Sequence, residues 1–536
     1  YVRILKFIDG KMYGDIKSND SIEKSLGSLL AETSIQLKSF FDKRAYRKFL
    51  WDPSNIDWIK NKQKLFSGFK ADIIKKNILE YNFFVKKNKH NLRYSLTHGD
   101  VNNYNLVIKN NKLVGLIDYG DMIYAPTIND LAIALAYVLM KKDDLFLSLK
   151  NVIINYNKKF PISLKEIYSL ITLVKCRLTI TVVMASIQRK KFPKNRYLSI
   201  SEKDAWSLLI KLDKINTYFF IFLIRHLCNF PIIENYDKTI NLIKKNSFNN
   251  ILSFDINSVN KSVINLRSNK NISNTKIFSN KINSFLKKND SNLGIGLYGQ
   301  KRSIYKGNNF ISLLNNKLKR NVHLGIDLFT TAGNYIFSPF DGKVCILNNN
   351  NIKYDYGPTI VLEHNLNKKI KFYTLYGHLS KSSLKNHFIG KIIKKGECFA
   401  EIGNYPKNGD WPPHLHFQII LHLMDEKYNF PGVCEEIFYS MWTKICPNPN
   451  LILKIPNSFF EKNENINKLI KKRKLLISKN YSISYKKPLQ MVFAKNQYMY
   501  DYRGRKYLDC INNISHVGHS NSIVHEALIK QNEKLN

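Results

Sequence analysis

The sequence predicts a multidomain α+β protein with an α-rich unit, an all-β unit and the opening part of an α/β unit, in that order. The chain has 536 residues, which corresponds to about three domains at roughly 100 to 200 residues per domain. The spacing of hydrophobic residues also changes along the chain, from helical periodicity to short β runs separated by Gly, Pro and Asn. A hydrophobic fraction of 44% excludes a largely disordered protein.

The composition is strongly basic, with 84 Lys and Arg residues against 41 Asp and Glu and a formal net charge of +43. Such an excess would suit nucleic acid or an anionic surface. The lysines are dispersed along the whole chain, however, and the densest cluster, 471–474, is only four residues long. We therefore expect solvated basic faces and no nucleic-acid partner. A basic binding protein with inactive sites is the alternative.

The seven cysteines are scattered and odd in number, which fits neither a disulfide framework nor a Cys-x-x-Cys metal site. We therefore predict a cytoplasmic protein. The apolar run 218–224 ends at Arg225 and is far shorter than the roughly 20 residues of a membrane-spanning helix, so we expect no membrane partner. Because the sequence begins at Tyr1 inside an apolar run, we also expect that an N-terminal portion is missing.

Helical periodicity dominates residues 1–231. The hydrophobic stripe of the first predicted helix consists of Ile22, Leu26, Leu29, Leu30 and Leu37. At its start, Asp20 and Glu23 have the spacing of a capping box. Further helices are predicted at 127–141, 163–187 and 202–227.

A loop and a hairpin in this unit combine three oxygen-bearing side chains. Asp100 lies in a His-Gly-Asp loop, Asn105 follows five residues later, and Asp118 is returned by a hairpin that turns at Asn110 and Asn111. Phosphoryl transfer needs a carboxylate that orients and deprotonates a hydroxyl, and oxygen ligands for the Mg²⁺ that bridges the nucleotide phosphates. A single Asp in a turn is usually structural, but three such groups at this spacing indicate a phosphotransferase site.

The stretch 98–121, which reads His-Gly-Asp-x-x-x-x-Asn and then Ile-Asp-Tyr-Gly-Asp, resembles the aminoglycoside phosphotransferase and choline kinase superfamily, and in it the hydroxylysine kinase-like branch. The resemblance implies that Asp100 is the catalytic base, that Asn105 and Asp118 bind magnesium with ATP, and that a small amino alcohol accepts the phosphate. It also implies that 1–231 is a kinase-like C-lobe. The N-lobe would lie outside the chain, which as given should bind ATP poorly.

Residues 232–291 are rich in Asn, Ser and Lys with weak periodicity, and they are predicted to be a linker or a poorly packed extension. From 292 to 450 the pattern predicts an all-β domain. Its predicted strands are 335–346, 359–364, 369–379, 391–402 and 414–421.

The first part of a metal site is predicted near the start of this domain. Side chains at i, i+2 and i+4 of a strand share one face. If 323–327 is a strand, His323 and Asp327 lie together while Leu324 and Ile326 point into the core.

Further histidines complete the pattern. His414 and His416 would share a strand face, and His378 ends another predicted strand, from which it could reach a bound water. Two imidazoles and a carboxylate with an open position are the composition of a catalytic zinc site. A lone histidine in a β domain is more often a packing residue, and His364 and His387, which lie outside these patterns, are interpreted as structural.

The patterns His-x-Gly-x-Asp, Tyr-x-His-Leu and His-Leu-His-Phe together resemble the lysostaphin or LytM-type zinc endopeptidases, over the whole domain. The resemblance implies that His323, Asp327 and His416 bind zinc, and that His378 and His414 polarise water and stabilise the developing oxyanion. Because such peptidases usually cut peptidoglycan cross-bridges outside the cytoplasm, a cell-wall endopeptidase is an alternative function.

The last part of the chain comprises a predicted charged helical connector, 451–480, and the start of a third domain, 481–536, with a hairpin formed by 498–500 and 506–509. Its stretch 512–519, Asn-Asn-Ile-x-His-Val-Gly-His, resembles the start of class III pyridoxal-phosphate aminotransferases, in particular their phospho-lyase branch. The resemblance implies pyridoxal phosphate as a cofactor of the parent protein and a homo-oligomer formed through this domain.

The leading hypothesis is therefore a cytoplasmic multidomain enzyme. It combines phosphorylation of a small amino alcohol, an intact zinc-peptidase-like domain that could take a peptide substrate, and pyridoxal-phosphate chemistry. Hydroxide is a poor leaving group, whereas a phosphate ester leaves readily from a pyridoxal-stabilised carbanion, so a kinase would prepare the substrate of a phospho-lyase. Nothing in the sequence explains why the zinc-peptidase-like domain lies between the other two.

Overall fold

The computed structural model describes the chain except for residues 1–5, 193–200, 268–273, 306, 457–458, 461–465, 478–487, 502–505, 511–515 and 536. The chain divides into two compact units, Tyr1–Ile455 and Pro456–Asn536. Helices dominate the first part of the larger unit and antiparallel strands its second part. The predicted multidomain α+β fold class is confirmed.

The first part of the larger unit contains seven helices among the described residues and two small sheets. The helices are α1 (Asp20–Leu37), α2 (Gly68–Glu80), α3 (Ile128–Leu139), α4 (Leu145–Lys159), α5 (Leu164–Lys191), α6 (Glu202–Asp213) and α7 (Thr217–Leu227). The strands are β1 (Lys11–Met12), β2 (Tyr94–Thr97), β3 (Leu106–Lys109), β4 (Lys112–Leu116) and β5 (Ile123–Pro126). They form one sheet of order β1-β3-β4 and a second in which β2 pairs with β5.

The hairpin that carries part of the predicted phosphotransferase site is confirmed. Strands β3 and β4 pair antiparallel, and the turn residues Asn110 and Asn111 have φ values of 51° and 56°. Asn tolerates this left-handed region better than most residues do, and two such residues in succession match the right-handed twist of the flanking strands. The hairpin therefore returns the chain to the loop that holds Asp100.

The predicted capping box at the start of α1 is wrong. The residue that caps the helix is Asn19, whose side chain accepts a hydrogen bond from a backbone N–H of the first turn. Glu23 is only 2% exposed and instead accepts hydrogen bonds from Ser148 at 2.9 Å and Asn151 at 3.1 Å. Its carboxylate thus joins α1 to α4. A buried charge is costly unless it is hydrogen-bonded, so Glu23 bonds to these partners instead of capping the helix.

The helix predicted over 202–227 is two helices, α6 and α7. The chain leaves the first helix after Asp213, and Asn216 caps the second by accepting a hydrogen bond from the backbone N–H of Tyr218 at 2.8 Å. Asn favours such capping positions over helix interiors. The break therefore has a local cause.

Helix α5 was not recognised as a long apolar segment, because charged residues interrupt it. By length and composition it could cross a membrane, and 83% of its most apolar window is buried. It carries Lys175 and Arg177, which are both almost fully buried and form ion pairs with Glu80 and Asp100. A core helix of a globular fold has these properties, and we interpret α5 as one.

The second part of the larger unit is built around an eight-stranded sheet. Its strands and those of two small ribbons are β6 (Lys261–Ile264), β7 (Leu293–Gly296), β8 (Arg320–His323), β9 (Ile326–Phe329), β10 (Tyr335–Phe337), β11 (Gly342–Asn350), β12 (Gly357–Asn365), β13 (Lys371–Gly377), β14 (Ile392–Ile393), β15 (Cys398–Glu401), β16 (His414–Ile420) and β17 (Val433–Glu435). The sheet has the order β14-β11-β12-β13-β16-β9-β7-β6, while β8 pairs with β17 and β10 with β15. The helices are α8 (Tyr236–Lys245), α9 (Thr275–Lys288), α10 (Ser382–Lys385), α11 (Tyr439–Ile445) and α12 (Asn450–Leu453).

The segment 232–291, predicted as a linker, is folded in the residues that the structure describes. It contains α8, β6 and α9, and β6 pairs parallel with β7 at the edge of the large sheet. Phe278 and Ile282 of α9 are buried in a cluster with Trp411. Periodicity is weak here because one short edge strand lies between helices that bury only part of their surface.

Two of the predicted strands are divided. The run 335–346 forms β10 and β11, with Pro339 between them, and 391–402 forms β14 and β15. Proline cannot donate to a strand ladder, which accounts for the first break. The second break contains Gly396, whose φ of 80° turns the chain between the strands.

The smaller unit contains α13 (Ile466–Leu476), a three-stranded sheet of β18 (Met491–Lys495), β19 (Tyr498–Asp501) and β20 (Lys506–Leu508), and α14 (Ser522–Leu535). The predicted hairpin is confirmed, because β19 and β20 pair antiparallel. Its turn, together with residues 512–515 of the Asn-Asn-Ile stretch, lies outside the described residues.

Candidate functional sites

Three side chains predicted as metal ligands converge in the large sheet. His416 in β16 lies directly opposite Asp327 in β9, and His323 ends β8. Both His323 Nε2 and His416 Nδ1 lie 3.1 Å from Asp327 Oδ1, and the two nitrogens are 2.9 Å apart. Zinc bound tetrahedrally by N and O atoms at about 2.0 to 2.1 Å separates its ligand atoms by about 3.3 Å. The donor set therefore fits a zinc ion.

The prediction of a single strand over 323–327 is wrong, although His323 and Asp327 do lie together. The chain breaks at Leu324 and Gly325, so that His323 lies in β8 and Asp327 in β9, which belong to different sheets. A Cβ atom on Gly325 would lie 2.5 Å from Cε1 of His416. Only glycine permits this close approach of the backbone to the imidazole.

Hydrogen bonds assign the tautomer of His416. Its Nε2 lies 3.0 Å from Oε1 of Gln418, while Nε2 of Gln418 donates to the carbonyl of Pro431. Because that Gln oxygen can only accept, His416 donates from Nε2 and keeps the lone pair on Nδ1. A partner of this kind orients metal-binding histidines. The lone pair of His416 thus points to Asp327.

A buried arginine that the sequence did not single out completes this cluster. Arg302 Nη1 donates to Asp327 Oδ2 at 2.6 Å, and Nη2 lies 3.0 Å from His323 Nδ1. Burial opposes the charge on Asp327, but the neighbouring His323 and Arg302 hold the pKa of its carboxyl well below the usual range. Burial and Arg302 lower the pKa of His323 to about 3. The cluster therefore presents the carboxylate of Asp327 beside the neutral imidazole of His323.

His378 and His414 lie beside this cluster. His378 Nδ1 is 2.9 Å from the carbonyl of Asn408, and His414 Nδ1 is 2.7 Å from that of Pro412. Each therefore donates from Nδ1, which leaves the Nε2 lone pair free to accept a proton. Burial lowers the pKa of both histidines. Their ring centroids are 4.3 Å apart.

All five predicted groups line one cavity of about 330 Å³. This volume lies at the small end of the range for ligand pockets, roughly 300–1,000 Å³. Tyr305, Tyr354 and Trp411 contribute aromatic walls, and Leu266 and Phe278 come from the segment predicted as a linker. The site thus combines candidate metal ligands, two proton acceptors and space for a small substrate segment. The assigned roles stay predictions.

Two of the three predicted phosphotransferase residues, Asp100 and Asn105, are in contact. Asp100 Oδ1 accepts from Arg177 Nη2 at 2.5 Å, and Oδ2 accepts from Asn102 at 2.7 Å and more weakly from Asn105 at 3.3 Å. Arg177, which the sequence did not single out, is 2% exposed and stacks on the ring of Trp51. The carboxylate of Asp100 is therefore held in one orientation.

The second carboxylate of this site, Asp118, follows β4 in a left-handed conformation with φ of 65°. It is exposed, and its Oδ1 accepts a hydrogen bond from the N–H of Gly120 at 3.4 Å. Burial, followed by the charges of Asp100 and Asp118, raises the pKa of Asp121. Asp100 and Asp118 thus both lie close enough to Asp121 to influence its carboxyl group.

Asp130, a further residue missed in the sequence, holds the loop of Asp100. Its carboxylate accepts hydrogen bonds from the backbone N–H groups of His98 at 2.8 Å and Gly99 at 3.0 Å. Gly99 has φ of 82°, and a Cβ atom there would lie 2.5 Å from the carbonyl oxygen of Asp121. Asp130 belongs to α3, so no local pattern pointed to this role.

Comparisons with known proteins agree with all three resemblances, the third through short matches only. Residues 2–149 match the model of the phosphotransferase enzyme family, and residues 321–429 match that of peptidase family M23. The hydroxylysine kinase of Xenopus laevis is 25% identical over 225 residues, which are 39% of this chain and 60% of that protein. The chain thus spans about 60% of the length of this curated relative.

Two further similarities concern the other parts of the chain. A solved structure of a zinc-containing peptidase from Vibrio cholerae is 29% identical and covers 18% of this chain and 27% of its own, at a TM-score of 0.15. The ethanolamine-phosphate phospho-lyase homolog 1 of Caenorhabditis elegans is 42% identical over 64 residues, which are 12% of this chain and 14% of that protein. The chain therefore joins a kinase-like part and an M23 peptidase-like part, with a short similarity to phospho-lyases.

Proposed function

We propose that the β part of this chain is a zinc-dependent hydrolase of peptide bonds, within a multidomain enzyme that also phosphorylates a small amino alcohol. The observation that carries the first half is the convergence of His323, Asp327 and His416, whose candidate ligand atoms all lie within 4.8 Å of one another. These three residues would hold the ion. Zinc, when bound, would supply a Lewis acid that activates water and polarises a carbonyl group.

The chain's own residues would handle the proton. Nε2 of His378 and of His414 carries a lone pair beside the ligand cluster, because each ring donates from Nδ1 to a backbone carbonyl. One of these nitrogens would accept the proton of the attacking water, and an imidazole that has gained a proton can deliver it to the leaving amine. The aromatic walls of Tyr354 and Trp411 would exclude bulk water from this reaction.

Metal analysis tests the proposed hydrolase. The purified full chain should hold about one zinc ion, because three protein ligands with an open position form a catalytic site. His416→Ala should lose the ion, whereas His387→Ala should retain it, since His387 lies outside the cluster and bonds only to the carbonyl of Ser383 among the described residues. Absence of zinc from the wild type, or equal zinc in His416→Ala, would contradict the proposal.

A second activity is supported by the cluster around Asp100. Its carboxylate would accept the proton of a substrate hydroxyl, while Asn105 and Asp118 would provide oxygen ligands for magnesium with ATP. Arg177 holds Oδ1 of the Asp100 carboxylate from one side, so the hydroxyl would approach Oδ2, which also accepts a hydrogen bond from Asn102. The similarity to hydroxylysine kinases favours an amino alcohol as the acceptor.

This second activity is tested by measuring ADP release from the full-length protein, with hydroxylysine or ethanolamine as the phosphate acceptor. Asp100→Asn keeps the shape of the side chain but removes the base, and should lower turnover by about 10²- to 10⁴-fold. Asp143→Asn, in the connection between α3 and α4, is the matched control and should leave turnover unchanged. Equal turnover in Asp100→Asn and the wild type would exclude Asp100 as the base.

We further propose that the last segment belongs to a cytoplasmic, pyridoxal-phosphate-dependent phospho-lyase part. Its similarity to the named phospho-lyase homolog supports this assignment, and a kinase that forms a phosphate ester would supply the substrate of such a reaction. A cell-wall endopeptidase is the competing proposal. Fluorescent labelling of the full-length protein separates the two, since a signal confined to the cell envelope would favour the cell-wall function.

A further inference from the structure

A second cavity lies at the seam between the α-rich part and the β part of the larger unit. Its volume is about 270 Å³. Helices α5 and α7 contribute Tyr168, Phe222 and Arg225, the turn between β12 and β13 contributes Lys369, and the start of β13 contributes Lys371. The cavity shares no lining residue with the zinc-site cavity, and it is outside both proposed active sites.

Arg225 is buried in this seam without a full set of partners. Its side chain is only 3% exposed, and Nη1 lies 3.3 Å from the hydroxyl of Tyr168 and 3.7 Å from Oε1 of Glu234. The carboxylate of Glu234 is 59% exposed, so water weakens this ion pair. Nε of Arg225 is buried and has no hydrogen-bond partner in the described part of the chain. Buried guanidinium groups normally satisfy their donors, so this one has capacity for an anion.

The surroundings of Arg225 add positive charge. Lys371 forms an ion pair with Glu363 at 2.9 Å, whereas Lys369 is exposed and forms no ion pair with any described residue. Burial lowers the pKa of His422. Its Nδ1 accepts from the backbone N–H of Met424 at 2.9 Å, which leaves Nε2–H as a donor. The cavity is thus lined by three cationic side chains, and His422 adds a neutral donor.

We propose that this seam cavity binds a phosphate group, either as inorganic phosphate or as the phosphate monoester of a small molecule. Among the lining residues Glu234 is the one carboxylate, and because Glu363 already pairs with Lys371, Arg225 and Lys369 supply the positive charge that favours an anion such as phosphate, which carries about −1.5 to −2 charges at neutral pH. The guanidinium fork of Arg225 suits phosphate oxygens. The rings of Tyr168 and Phe222 leave an apolar wall for the organic part of a monoester.

Titration calorimetry of the metal-free full chain with inorganic phosphate, at constant ionic strength, tests the proposal. Removing metal with a chelator prevents binding of phosphate at the zinc site. One saturable site is expected in the wild type. Arg225→Met should weaken binding by about tenfold or more, because it removes charge-assisted hydrogen bonds. Glu234→Gln should tighten binding, since it removes the competing carboxylate.

Lys369→Ala is a second test that does not depend on a buried position, and it should weaken binding several-fold. Lys368→Ala is its matched control, an exposed neighbour that does not line the cavity, and it should bind as the wild type does. Phosphoethanolamine binding more tightly than inorganic phosphate would identify a monoester, and the reverse order would identify phosphate itself. No saturable binding, equal binding by acetate, or unchanged binding in Arg225→Met and Lys369→Ala would overturn the proposal.

Discussion

Arg302 decides which oxygen of Asp327 faces the candidate zinc position. Its Nη1 donates a hydrogen bond to Oδ2 of that carboxylate at 2.6 Å, and Oδ1 therefore faces the ring nitrogens of His323 and His416. The guanidinium is 2% exposed and cannot reorient into water. Its position therefore preorganises the carboxylate, as partners of metal ligands commonly do.

Arg302→Met should lower the zinc affinity of the full chain by about 10- to 100-fold, because the carboxylate loses the partner that orients it. Competition with a chromophoric chelator measures this affinity. Lys301→Met is the matched control, since Lys301 is exposed and pairs with Glu436 at the surface. An Arg302→Met chain that competes for zinc as well as the wild type would show that Arg302 has no such role.

At this scale the sequence predicts the ligands better than their partners. Short local patterns marked the candidate ligands, because His323 and Asp327 are four residues apart, His416 lies two residues after His414, and mostly apolar residues lie between the members of each pair. Arg302, Arg177 and Asp130 were not, because each reaches its site through a contact between distant parts of the chain. One Arg among 84 basic residues gives no local signal of such a contact.

Among the elements, hairpins with a strong turn were predicted well. Asn110-Asn111 determines its own turn through local conformational preference. Segment 232–291 was predicted poorly, because β6 is stabilised by pairing with β7 and not by a pattern of its own. The prediction of one strand over 323–327 failed for a similar reason. The strand breaks at Gly325, where the imidazole of the distant residue His416 lies close to the backbone.

The pairing of β12 with β13 contains a histidine that should make stability depend on pH. His364 in β12 is fully buried, and its two ring nitrogens contact the carbonyl of Asp341 at 2.9 Å and the hydroxyl of Thr374 at 2.6 Å. Burial lowers its pKa from 6.5 to about 4. Between these values the unfolded chain binds a proton that the folded chain does not, so stability falls as the pH falls.

The cost should reach about 3 kcal/mol at pH 4 and below, and should vanish above pH 6.5. His364→Gln cannot bind this proton, so its free energy of unfolding should fall less than that of the wild type between pH 6.5 and 4. Urea denaturation at several pH values measures the difference, with the exposed His90→Gln as control. Parallel pH profiles for His364→Gln and the wild type would refute the assignment.

At the scale of the larger unit, the α-rich part and the β part share one hydrophobic core. Phe438, just before α11, packs against Phe146 of α4 and Phe219 of α7, with ring centroids 4.8 Å and 5.8 Å apart. Asn216, which caps α7, also donates to the carbonyl of Met424 at 2.9 Å. Apolar and polar contacts therefore join the two parts. All of these contacts would be lost if one part unfolded while the other stayed folded.

The candidate zinc site is linked to this shared core through a short chain of contacts. His416 donates to Gln418, and the side-chain amide of Gln418 lies 3.2 Å from Sγ of Cys446, the residue that follows α11. Trp442 of α11 packs beside Phe219 of α7. Packed groups thus connect the candidate zinc site to helices of the α-rich part.

Zinc should consequently stabilise the kinase-like helices, although none of them supplies a ligand. Free zinc at 1,000 times its dissociation constant adds about 4 kcal/mol to the stability of whatever unfolds together with the site. Backbone hydrogen exchange is measured by mass spectrometry with and without zinc. Zinc should slow the exchange of α3 and α5 by about the same factor as it slows the exchange of β16. Phe438→Ala should reduce the effect on the helices by weakening the shared core, while β16 remains protected. Protection confined to the β part of the wild type would mean that the two parts unfold independently.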